Sequence, residues 1–122
     1  MPRGCVQGID SPLARLAAAL AAYKLGGIQR LRGYLRALVK SGASIESVEA
    51  VARLTGLIAR GVHPCKAAEV VVRALVSGDS ESEVLAAVLD TAGMIDECRG
   101  VIAPRGSIRD AEVKDASLDK SL

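Results

Sequence analysis

A chain of 122 residues that is half apolar has room for one domain with its own core and is too hydrophobic for wholesale disorder. It has no Phe, no Trp and only Tyr23 and Tyr34 as aromatics. The interior must therefore be built from Leu, Val, Ile and Ala, and such small side chains favour close packing of helix on helix. The net charge of +2 hides a division: residues 1–73 hold eleven Lys/Arg against four Asp/Glu, and residues 74–122 hold five against ten. A basic front and an acidic back suit a molecule that meets a polyanion or further copies of itself.

Residues 1–10 read as an N-terminal arm. Its start, Met-Pro-Arg-Gly-Cys, is not followed by the long apolar stretch and small-residue cleavage site of a signal peptide. Ser11 before Pro12 has the form of an N-cap with proline at the first helical position. Leu13, Leu16, Leu20 and Tyr23 then recur at helical spacing, and Gly26-Gly27 ends this first segment. A second helix is predicted over 28–41, with Ile28, Leu31, Leu35, Leu38 and Val39 on its apolar side and Gly42 closing it. Ser44 caps a third over 45–60, whose apolar face is Val48, Val51, Leu54, Thr55 and Ile58. Gly61 follows.

Pro64 opens a fourth helix to about Ser77. The run Val70-Val71-Val72 also fits a buried strand, but the leading proline and the surrounding Leu and Ala favour helix. Ser80 with Glu83 three residues on has the pattern of a capping box. It opens a fifth helix to Ala92, or to Cys98 if Gly93 is tolerated. After Gly100 the composition turns polar, with Pro104, Gly106 and alternating charges, so residues 101–122 read as a flexible tail. Ile108, Ala111, Leu118 and Leu122 fall loosely on one face of that tail and would fold only against a partner. The fold class expected is all-α: a compact bundle of about five short helices over 11–100. Arg36-Ala-Leu-Val39 and Arg73-Ala-Leu-Val76, each followed by Ser-Gly and a capping serine, hint at two related helical hairpins.

No apolar run reaches the ~18–20 residues that cross a bilayer, because Arg15 and Lys24 interrupt the longest one. No membrane partner is expected, and the expected location is cytoplasmic. Asn is absent and Gln occurs only at 7 and 29. That loss of amides matches thermophile proteins, although a GC-rich genome gives part of the same bias. Cys5, Cys65 and Cys98 form no CxxC. Cys65 and Cys98 therefore read as small helix-packing residues, and gathering them with Cys5 and His63 round a zinc has no local geometry behind it. No metal and no cofactor are expected. No phosphate-cradling glycine motif occurs, and the single histidine, His63, stands before Pro64, where it suits a turn or cap better than a catalytic base. The chain reads as non-enzymatic.

The binding candidates are charged. Within 11–42 there are six basic residues and no acid. Arg32, Arg36 and Lys40 are spaced i, i+4, i+8 on one helix face, flanked by Arg30 and Lys24, so these five are the candidate nucleic-acid contacts. The competing expectation is a solvated face, or one neutralised inside the fold by the acidic fifth helix. There Glu83, Asp90 and Glu97 repeat every seven residues and form the candidate partner-binding stripe, able to meet the basic stripe within one chain or in a neighbouring one. Residues 45–76 have the outline of a helix-turn-helix. The second helix offers Lys66, Glu69 and Arg73, with no Asn or Gln to read base edges. The function expected is a small helical subunit or adaptor of a larger, nucleoprotein assembly, with a protein partner or homo-oligomer. The alternative is a free-standing, sequence-indifferent nucleic-acid binder that contacts phosphates through the basic helix face.

Overall fold

A computed structural model of the chain describes residues 11–76 and 78–100. They form five helices: α1 (Pro12–Ser41), α2 (Ile45–Ala59), α3 (Pro64–Leu75), α4 (Glu81–Ala92) and the single turn α5 (Ile95–Cys98), with no strand among the described residues. The expected arm at 1–10 and tail at 101–122 lie outside them.

The helix starts follow the caps in the sequence. Ser11 Oγ accepts from the Ala14 amide at 3.1 Å, and Ser44 Oγ from the Ser47 amide at 3.2 Å. These caps satisfy amide donors that a helix N-terminus otherwise leaves without partners. His63 caps α3, its Nδ1 accepting from the Cys65 amide at 3.1 Å ahead of Pro64. Proline sets the local backbone for helix, so the valine run is helical, with Val71 and Val72 buried.

Ser80 departs from expectation. It stands at the N-cap of α4, but its side chain makes no capping bond. Its backbone (φ −87°, ψ 1°) already turns with the preceding bend, whereas a capping serine needs the extended geometry of Ser11 and Ser44. The other end of α4 is firm. Gly93 adopts a left-handed φ of 77°, and the Met94 amide bonds back to the Leu89 carbonyl, so α5 is a separate turn.

The two segments expected at 12–25 and 28–41 are one run of helix broken at Gly27, whose φ of 74° and ψ of −160° belong to a region only glycine enters readily. The break lets each half bury its own leucines: Leu16 and Leu20 before it, Leu31 and Leu38 after it. Val39, placed on the apolar side by the sequence pattern, is exposed instead. It sits one residue beyond Leu38, about 100° round the helix, and falls off the buried stripe.

α1 is the central element and packs on α2, α3 and α4, while α2 packs on α3, α3 on α4 and α4 on α5. Leu16, Leu20, Leu31, Val51, Leu54, Val71 and Val72 fill the interior, and Ala17, Ala19, Ala67 and Ala68 stand at the contacts. Alanine at those points lets helix backbones approach closely without aromatic fillers. The Tyr34 hydroxyl is buried without a hydrogen bond among the described residues, which costs about 1–3 kcal/mol.

Cys65 and Cys98 are joined in a disulfide, with their Cα atoms 5.4 Å apart. The pair ties the first turn of α3 to α5, and both residues are buried. They do pack between helices, but as a covalent cross-link. A separation of 33 residues carries no local motif, because the bundle brings the pair together only after α4 has folded back. The bond also removes two of the four ligands weighed for zinc.

The matched segments of the suspected repeat are only partly alike: Arg36 and Ala37 are exposed like Arg73 and Ala74, but other matched positions differ. Leu38 is buried and its counterpart Leu75 exposed. Ala50 and Thr55 of α2, which match Ala86 and Thr91 of α4 at an offset of 36 residues, are buried, and Ala86 and Thr91 are exposed.

Candidate nucleic-acid interface

The second half of α1 turns Leu31 and Leu38 inward and Arg32, Arg36 and Lys40 outward. Four residues advance a helix by ~6 Å and rotate it only ~40° beyond a full turn, so the three cations form a gently winding row on the solvent side. Arg30 stands exposed on the flank. None of these four takes part in an ion pair among the described residues.

Lys24 is different. Its Nζ lies 3.2 Å from Glu97 Oε2 and also donates to the Gly93 carbonyl. It therefore ties α1 to the α4–α5 corner, a cation set against the carbonyl end of α4 where the helix dipole favours it. The Lys24 hydrogen bond, with help from a backbone amide, holds the Glu97 carboxyl below the usual glutamate range. One candidate phosphate contact and one candidate partner contact thus meet each other.

The rest of the expected charge match does not form. Glu83 and Asp90 are exposed on α4 and make no ion pair among the described residues. The reason is geometric. α1 and α4 pack through their apolar faces, so each turns its charged face away from the other. The two stripes cannot meet within one chain without giving up the core contact.

On the would-be recognition helix the charges are consumed locally. Glu69 bridges Lys66 at 3.1 Å and Arg73 at 2.7 Å, and Arg73 also bonds Glu81 at the start of α4. The Glu81 hydrogen bond, with the charges of Glu81 and Glu69, raises the Arg73 guanidinium still further above neutrality. This face staples α3 to α4 and offers little to a nucleic acid. Arg53 and Arg60 of α2 lie outside the basic stripe that the sequence pattern marks. Both are exposed and unpaired among the described residues, and their seven-residue spacing was the available signal. Arg53 shares its face with Glu46 and Glu49, which dilutes any positive field there.

Among the described residues no helix is long and apolar enough to cross a membrane, and no cluster of three or more His, Cys, Asp or Glu is arranged to hold a metal ion. Compared with known proteins, the chain matches no protein family, no curated protein and no solved structure.

Proposed function

We propose that this protein is a non-enzymatic, small helical subunit of a nucleoprotein assembly, and that it holds nucleic-acid phosphates through Arg30, Arg32, Arg36 and Lys40. One observation carries the proposal. These four exposed cations have no ion pair among the described residues and no acidic residue beside them in 11–42, whereas Lys24, Lys66, Arg73 and Arg99 are all paired and the unpaired Arg53 shares its face with Glu46 and Glu49. A row of unpaired cations attracts a polyanion, and each phosphate it neutralises releases condensed counterions. The contact is taken as sequence-indifferent, because α3, the would-be recognition helix, carries no Asn or Gln and is occupied by its own ion pairs, which leaves the row to meet phosphates.

The proposal includes a thermophile's cytoplasm as the setting. A buried disulfide and a chain without asparagine fit together there, because intracellular proteins of hyperthermophiles keep disulfides that mesophile cytosol reduces.

The test is binding of duplex DNA at increasing salt, followed by fluorescence anisotropy. With three or four phosphates neutralised, log K should fall against log salt with a slope of roughly −3 to −4. The double variant Arg32→Glu/Arg36→Glu should lose binding while keeping its helical circular dichroism. Unchanged binding in that variant, or none at low salt, would defeat the proposal.

A further inference from the structure

Three exposed apolar side chains gather at one end of the bundle. Val39 lies in the last turn of α1, Ile45 in the first turn of α2 and Leu75 at the end of α3. A tight turn at 42–44 joins the first two. α3 runs back along α2, so Leu75 shares a groove with Glu46, Glu49 and Ala50. Val39 is 58%, Ile45 71% and Leu75 39% exposed. Lys40, Glu46, Glu49 and Arg53, the last of which lines the same groove, stand beside them, and none of these has an ion pair among the described residues.

An apolar centre with unpaired charges of both signs at its edge is the pattern of a self-complementary surface. In a two-fold contact the same patch serves both copies, so it must carry each charge and its complement. Glu46 and Glu49 offset Lys40 and Arg53 there, so the patch presents no net positive charge to draw nucleic acid or an anionic membrane. We propose that this end of the bundle is a homodimer interface. Val39 and Ile45 of each copy seat against the Leu75 groove of the other, and Lys40 of each copy meets Glu46 or Glu49 of the other. The charges set orientation, and the apolar contact supplies most of the attraction. The inference does not rest on the phosphate contact proposed above.

Leu25 provides the control. It is more exposed than any of the three, at 76%, but lies fourteen residues before Val39, in the other half of α1 beyond the break at Gly27. The experiment is sedimentation equilibrium of the full chain, freed of nucleic acid, over about a hundredfold range of concentration. A monomer–dimer equilibrium is expected. Ile45→Asp and Val39→Asp should each raise its dissociation constant by about 30-fold or more, the size of a hot-spot loss. Leu25→Asp should change it by less than about twofold. Both tip positions are solvent-exposed, so the variants should fold, and far-UV circular dichroism checks this. Raising salt from 0.1 to 1 M should weaken the dimer by less than about tenfold, because screening acts on the rim charges only. A monomer at every concentration would overturn the proposal. So would equal sensitivity to Leu25→Asp, or a dimer that salt dissolves.

Discussion

Reducing the Cys65–Cys98 bond should lower stability by an amount that follows from its place in the chain. The cross-link closes a loop with a sequence separation of 33. In the chain-entropy account a loop of that length limits the unfolded ensemble by about 3.8 kcal/mol at 25 °C. For a domain of this size each kcal/mol moves Tm by about 4 °C, so the reduced protein should melt about 15 °C lower. Both cysteines are buried, so reduction is best done in denaturant and followed by refolding with reductant present. Thermal unfolding followed at 222 nm then compares the oxidised and reduced protein. Reduced wild type is the cleaner comparison, since Cys65→Ala/Cys98→Ala also removes buried volume. Thiol titration of the unfolded, unreduced chain should find Cys5 alone. Free thiols at Cys65 and Cys98 would refute the cross-link, and a Tm shift under about 3 °C would refute the entropic account of it.

Gly27→Ala should destabilise by about 1–3 kcal/mol in chemical denaturation, because no L side chain is comfortable at φ 74°, ψ −160°; an unchanged midpoint would mean that the break in α1 can straighten. Glu97 titrates low in the fold, so its contribution to stability is complete above the ordinary glutamate range and is lost as pH falls through the depressed value. The difference in Tm between wild type and Glu97→Gln should accordingly shrink from pH 5 towards pH 2.5 and be flat near neutrality. Arg36→Gln removes the like-charge contacts with both Arg32 and Lys40, so thermal unfolding should show a gain of about 0.4–1 kcal/mol at low salt, while the phosphate slope should fall by about one.

The fold was legible because most of its boundaries are chemical. Ser11, Ser44, Pro12 and Pro64 each act on the backbone next to them, and the glycines at 27, 42, 61, 78 and 93 all take positive φ. What escaped depended on distance or on exact angle. Ser80 has the residues of a capping box, but the turn before it fixes the wrong backbone geometry. Val39 fits a loose apolar stripe yet lies too far round the helix to be covered. The disulfide joins residues that no spacing rule connects. The candidate site was legible only in part. Arg30, Arg32, Arg36 and Lys40 stand clear on the solvent side as their spacing predicts, because local helix geometry decides it. Lys24 does not, since its partner Glu97 comes from an element 73 residues away in sequence.

The two proposed surfaces meet at one end of the molecule, and this ties their behaviour together. Arg36 and Lys40 lie in the last two turns of α1, beside the tip formed by Val39 and Ile45. A two-fold contact at that tip would bring the basic rows of two copies towards a common axis, each row running outward from it. Two copies would then neutralise about twice as many phosphates as one, and the slope of log K against log salt would steepen from about −3.5 towards about −7. The two effects would also couple by mass action. Nucleic acid that engages both rows would stabilise the dimer, and dimerisation would strengthen binding by the same factor. Lys40 is the residue where the surfaces compete, because a rim pair with Glu46 or Glu49 would withdraw one cation per copy from phosphate contact. The slope should therefore fall somewhat short of double. An Ile45→Asp monomer that keeps the single-copy slope would place phosphate contact and self-association on separable parts of the same helix.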